Sequence, residues 1–224
     1  HGAHQVKRKR TAGGRSFFTQ KGAAFLASTA RLCYNYLEKV FAGAIDHMTT
    51  REFQQKKPLS ILEVGTAVGY SAIRMSEVMP AGATITTIEK YPPRIEEAKR
   101  NFARAPRGCD ITLLEGDAAD ILKTLDKPYD LIFMDAAKGQ YIHFLDDVLR
   151  LLAPEGVLVS DNVLQDGDVA RSRYAIERRD RTIHKRMRDY LYTIKNHPQL
   201  ETTILPVGDG VAISIKMGES NERR

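Results

Sequence analysis

The chain has 224 residues and a net charge of +6, with 42% hydrophobic and 28% charged residues. That length predicts one domain with an N-terminal extension, and the balance is that of a soluble globular protein. No apolar stretch approaches the roughly 18 residues of a membrane span, and Cys33 and Cys109 form no CxxC, so they read as reduced thiols of a cytoplasmic protein.

Residues 1–15 hold five Lys/Arg and no acid, a basic tail without the apolar core of a signal peptide. Over 21–45 the apolar positions Phe25, Leu26, Leu32, Cys33, Tyr36, Leu37, Val40, Phe41, Ala44 and Ile45 recur at spacings of three and four. They predict one amphipathic helix. A polar linker follows over 46–58. The expected layout is an extension over 1–57, a catalytic domain over 58–217 and a polar tail over 218–224.

From residue 59 onward strand and helix alternate. Strands are predicted at 59–64, 84–89, 111–115, 129–134 and 155–160, and helices at 70–79, 93–104, 117–125 and 138–152. Such alternation implies α/β architecture: a mostly parallel, doubly wound sheet with helices on both faces. A basic helix is predicted over 174–196. Two further strands, 200–206 and 211–216, flank a Gly-rich joint and predict an antiparallel hairpin at the sheet edge.

The first strand runs into Glu63-Val64-Gly65-Thr66-Ala67-Val68-Gly69-Tyr70-Ser71. Gly65 and Gly69 allow a tight turn and a close approach of backbone to ligand at a helix N-terminus. The spacing is G-x-x-x-G, without the middle glycine of a dinucleotide fingerprint. An acid before the loop repels phosphate but attracts an ammonium group. Glu89 ends the second strand, where an acid can take both hydroxyls of a ribose. Asp117-Ala118 follow the third strand, where an adenine can be read. Taken singly, Glu89 could be a helix N-terminal acid and Asp117 an N-cap. In register after successive strands, they suggest a nucleoside with a cationic amino-acid tail, S-adenosylmethionine.

Two apolar runs end in acid. Tyr129–Met134 leads into Asp135, and Gly156–Ser160 leads into Asp161-Asn162. In an open α/β sheet the carboxyl ends of the strands face the ligand crevice. Two carboxylates and an amide oxygen at one edge form a hard-oxygen set suited to Mg²⁺ or a similar divalent cation. Lys138, three residues past the first acid, is close enough to act on what that cation holds.

The strings ILEVGTAVGYSA (61–72), DAAKGQY (135–141), SDNVL (160–164) and LPVGDGVAI (205–213) make the chain resemble the class I, metal-dependent O-methyltransferases of the catechol and caffeoyl-CoA type. The Rossmann-like methyltransferase fold is the fold this implies. Within that family the chain is most similar to the bacterial tRNA 5-hydroxyuridine methyltransferases, through DAAKGQY, the basic run and Asn196-His197-Pro198. The resemblance implies that Glu63, Gly65, Tyr70 and Ser71 line the methionine end of the cofactor. It implies that Glu89 holds the ribose and that Asp117 and Ala118 border the adenine. Asp135, Asp161 and Asn162 would ligate Mg²⁺, with Asp135 also near the cofactor, and Lys138 would be the general base. A homodimer is the family's common state.

Residues 171–190 hold eight Lys/Arg and three acids. With the tail's +5 and this segment's +5 removed from +6, the rest carries −4. The segment follows Asp161-Asn162 closely and suits phosphate contacts, while Tyr174 and Tyr190 could either stack on bases or pack in the core. Together with this charge, the resemblance to the tRNA 5-hydroxyuridine methyltransferases implies 5-hydroxyuridine at the tRNA wobble position as the acceptor, bound through 171–190. The alternative is a small catechol or a CoA-linked phenol. Either offers two adjacent oxygens that one cation can chelate.

Overall fold

Seven strands form one sheet in the computed structural model, which describes residues 58–206 and 208–218. The basic tail, the helix expected over 21–45, most of the linker and nearly all of the C-terminal tail lie outside the described residues. In chain order the elements are β1 (Ser60–Val64), α1 (Tyr70–Val78), β2 (Thr84–Glu89), α2 (Pro92–Phe102), β3 (Ile111–Glu115), α3 (Ala118–Thr124), β4 (Tyr129–Met134), α4 (Tyr141–Leu151), β5 (Leu152–Ser160), α5 (Arg181–Asn196), β6 (Leu200–Leu205) and β7 (Val211–Lys216). The sheet order is β3-β2-β1-β4-β5-β7-β6. β1 to β5 are mutually parallel, and β7 runs antiparallel to both β5 and β6.

The parallel strands are apolar on both faces because helices cover both. On one face Ile61, Ile85, Leu131 and Phe133 share a core with Ala72 of α1 and Ala98 and Phe102 of α2. On the other, Leu62, Val64, Ile132 and Met134 pack with Leu122 of α3, Phe144 and Val148 of α4, and Met187 and Tyr190 of α5. The order reverses between β1 and β4. Their carboxyl ends therefore flank the crevice where such sheets bind ligands. No helix among the described residues is long and apolar enough to cross a membrane.

Several elements differ from the sequence expectation: the helix expected from 138 begins at Tyr141, after a 3₁₀ turn over Lys138–Gln140, and β5 and the last helix also shift. β5 begins at Leu152 rather than 155, because Leu152 already pairs with Tyr129. The register then slips before Leu131 meets Val157, and Glu155, at φ 61°, takes up the extra length as a bulge. The last helix begins at Arg181, not 174. Ser172 caps a single 3₁₀ turn over Arg173–Ala175, and Ile176 is then extended and buried. Helical burial starts only with His184, Met187, Tyr190, Leu191 and Ile194. Arg171, Arg173, Arg178 and Arg179 therefore lie outside the helix.

Candidate active site

Two glycines set the backbone of the first crevice loop. Gly65 has φ 108°, and a Cβ there would stand 2.3 Å from the Asp135 carbonyl oxygen. Only glycine lets the end of β1 lie this close to the end of β4. Gly69, at φ 84°, is the N-cap of α1, and a Cβ there would strike the Phe102 ring at 2.5 Å. Tyr70 opens α1 and is half-buried.

Glu63 is fully buried on β1. Ser71 donates to one of its carboxylate oxygens, and Thr87 donates to the other at 2.5 Å. The Thr87 hydroxyl is also 2.6 Å from that of Thr66, so a buried chain of hydroxyls backs the acid. Burial pushes the carboxyl up to about 7, with Asp135 and Glu89 adding to the rise and the Ser71 and Thr87 bonds opposing it. A carboxylate held here without a cationic partner among the described residues suits an incoming ammonium group.

Glu89 ends β2 and is nearly buried. Its Oε2 accepts the Ala67 N–H at 2.9 Å, and its Oε1 accepts those of Lys90 and Tyr91 at 3.0 Å each. The acid thus ties the glycine loop to β2 and serves the start of α2. A carboxylate has about four lone-pair positions, so one remains for a hydroxyl donor. Asp117 is the N-cap of α3: its Oδ1 accepts the Ala119 N–H at 3.0 Å, and its Oδ2 pairs with Lys90 Nζ at 3.1 Å. The Ala119 bond, then Lys90, lowers its pKa. Ala118 follows as the first, half-buried residue of α3.

The two acid tips lie together beyond β4 and β5. The Asp135 N–H donates to Val64 O at 3.0 Å, and the Asp161 N–H donates to Met134 O at 3.0 Å, so the ladder extends one residue past each strand. Lys138 Nζ donates to Asp135 Oδ1 at 2.8 Å and to the Asp161 carbonyl at 3.3 Å. Asp161 is buried, and its carboxyl is pushed up to about 6, first by burial and then by the charge of Asp135. Two neighbouring carboxylates, one buried and one partly exposed, fit a hard cation. Asn162 adopts φ 55°, a left-handed conformation that Asn tolerates. Its Nδ2 donates to Asp209 Oδ2 at 3.3 Å, a bond that fixes the amide through its nitrogen. Among the described residues no three His, Cys, Asp or Glu side chains gather into a metal centre. A cation here would take its third protein oxygen from the Asn162 amide.

The described part of this chain matches known proteins throughout. A family model described as O-methyltransferase matches residues 53–217. The chain belongs to the O-methyltransferase family. The O-methyltransferase ankF of Aspergillus thermomutatus is 32% identical over 170 residues, covering 68% of this chain and 69% of ankF. A catechol O-methyltransferase of Niastella koreensis is 38% identical over 114 residues, covering 49% of this chain and 52% of that one. The SAH-bound crystal structure of the Podospora anserina methyltransferase PaMTH1 superposes with a TM-score of 0.65 at 26% identity, covering 91% of this chain and 99% of that one. The enzyme is thus an S-adenosylmethionine-dependent O-methyltransferase with the Rossmann-like fold.

Several groups at the methyltransferase's crevice escape a reading of the sequence. Thr66 and Thr87 are ordinary strand and loop threonines until the fold sets them behind Glu63. Asp209 sits in a Gly-rich joint and reads as a turn residue. The basic segment also differs from a free cationic face. Arg171 pairs with Asp168 at 3.0 Å and Arg179 with Glu177 at 3.0 Å. Lys185 pairs with Asp189, and Arg181 and Arg186 donate to the Ile176 and Gly139 carbonyls. Tyr190 is buried against Ser160 and is not available to stack on a base, whereas Tyr174 is 89% exposed.

Proposed function

We propose that the enzyme transfers a methyl group from S-adenosylmethionine to one of two adjacent oxygens of a small catechol-type acceptor, with Mg²⁺ or a similar divalent cation. The observation that carries this reading is the cluster of Lys138, Asp135 and Asp161 at the ends of neighbouring strands. Asp135, Asp161 and Asn162 would hold the cation. Its chemistry is to stabilise the acceptor's oxyanion and so favour ionisation near neutral pH of a hydroxyl that otherwise ionises near pH ~10.

The chain's own groups do the rest. Glu63, braced by Ser71 and Thr87, would hold the cofactor's ammonium group, and Glu89 would hold its ribose at the remaining acceptor position. The glycine loop and the start of α3 would flank the nucleoside. Lys138 would take the proton from the acceptor hydroxyl. With donor and acceptor held in line, orientation supplies a large part of the rate. The catechol-type acceptor is favoured by the name of the Niastella relative and by the pairing of Arg171 and Arg179 with neighbouring acids.

A second reading takes 5-hydroxyuridine in tRNA as the acceptor. The exposed Tyr174 beside Arg173 and Arg178, close in sequence to Asp161-Asn162, favours it. Methyl-labelled S-adenosylmethionine offered with catechol, a caffeoyl-CoA-type phenol and tRNA lacking the wobble methyl separates the two. Label on catechol and none on tRNA is the expected result; label on tRNA alone would establish the second reading.

A further inference from the structure

Tyr141 opens α4 and is fully buried, yet its hydroxyl meets three polar partners at the crevice. It lies 2.8 Å from the carbonyl oxygen of Met134, the last residue of β4, and 3.1 Å from that of Asp161, the first residue beyond β5. It accepts from Lys138 Nζ at 3.0 Å. The ammonium group also stands 5.2 Å from the centre of the Tyr141 ring. The ring is itself fixed edge-on by Tyr190, with centroids 5.4 Å apart and planes at 76°. Tyr190 in turn is held by Ser160, at 2.5 Å between hydroxyls.

We infer that Tyr141 is a positioning residue: its hydroxyl clamps Lys138 over the two acid-tipped strands, and methyl transfer depends on that clamp. The inference rests on the assignment of Lys138 as the base. A lysine stem is flexible, and ordering one costs rotamer freedom. Lys138 is ordered by three contacts: Asp135 Oδ1, the Tyr141 hydroxyl and the Asp161 carbonyl. Asp135 is the contact a bound cation would also claim. Tyr141 is not a metal ligand in this arrangement, so its hold on Lys138 persists when Asp135 is engaged elsewhere. The same hydroxyl reaches the carbonyls at the ends of β4 and β5, which fixes its own place beside the base. The three-residue spacing from Lys138 to Tyr141 makes this possible. It spans one 3₁₀ turn (Lys138–Gln140) and brings both side chains back onto the strand ends.

Tyr141→Phe keeps the ring and removes only the hydroxyl. The expected result is a kcat lowered about ten- to one-hundred-fold, with acceptor KM and cofactor Kd within about twofold of wild type. A double-mutant cycle separates positioning from packing. In a Lys138→Ala background the same change is expected to cost nothing further. Equal losses in both backgrounds, or wild-type kcat in Tyr141→Phe, would overturn the inference. Full turnover in Lys138→Ala alone would instead overturn the base assignment and remove the purpose of the clamp with it. Should Tyr141→Phe fail to bind cofactor by calorimetry, 3-fluorotyrosine at 141 keeps the shape and weakens the hydroxyl as an acceptor. A several-fold fall in kcat is then expected, and an unchanged kcat would overturn the clamp.

Discussion

Lys138 and Asp135 meet as an ion pair of 2.8 Å, three residues apart at the carboxyl end of β4. Both are only partly exposed, and Asp161 stands beside them with its carboxyl raised by burial and by Asp135. One amine, two acids and an amide thus share the edge of the sheet where the order reverses.

Removing the amine tests its place in the chemistry. Lys138→Ala is expected to lower turnover by about 10²- to 10⁴-fold, the usual range for a general base, and to leave cofactor affinity unchanged by calorimetry. Lys138→Arg is expected to restore little, since a guanidinium cannot shed its proton near neutrality. Turnover near wild type in either variant would take Lys138 out of the mechanism.

Glu63 gives the metal-free, cofactor-free protein a defined pH response. Its folded carboxyl titrates at about 7 against an ordinary value of 4.5, so the folded state binds this proton more tightly than the unfolded state. The associated stability is present below pH 4.5 and is lost as pH rises to 7, by about 3 kcal/mol in all. Asp161, raised to about 6, acts in the same direction. Denaturant titrations at pH 5 and pH 8 are expected to show the loss. Glu63→Gln should diminish it.

Cofactor binding should run the other way. An ammonium group needs Glu63 ionised, so affinity for S-adenosylmethionine is expected to weaken as pH falls below 7. Glu63→Gln should bind weakly at every pH. A flat pH profile in the wild-type protein would separate Glu63 from the ammonium group.

Gly65→Ala places a Cβ in a left-handed conformation and 2.3 Å from the Asp135 carbonyl. The backbone has to move where β1 meets β4. A loss of about 2–4 kcal/mol is expected, together with weaker cofactor binding, measured by thermal melting and calorimetry. Wild-type stability would mean that the loop yields more readily than its geometry indicates.

Much of the fold is legible in the sequence, for a physical reason. Parallel strands covered on both faces read as unbroken apolar runs, and β2, β3, β4 and β7 match their expected limits. Acids at the ends of β4 and β5 stand out because nothing in a buried strand explains them. Segment 171–180 is harder to read. Its charges permit a helix, and only the burial of Ile176 and the turn capped by Ser172 show why none forms. Tyr141 and Thr87 are also opaque, since a hydroxyl in an apolar setting reads as packing until its partners from other strands are known. Asp117 shows the converse: its local N-cap geometry is plain, and it leaves Oδ2 paired to Lys90.

The central claim is that the Lys138 and acid-tip cluster activates one of two adjacent acceptor oxygens with a divalent cation. The most direct test is methyl transfer from labelled S-adenosylmethionine to catechol and to phenol, each with Mg²⁺ and with EDTA. Transfer to catechol that requires Mg²⁺, with phenol inert, is the predicted result. Transfer to catechol that is unchanged by EDTA, or equal transfer to phenol, would contradict it.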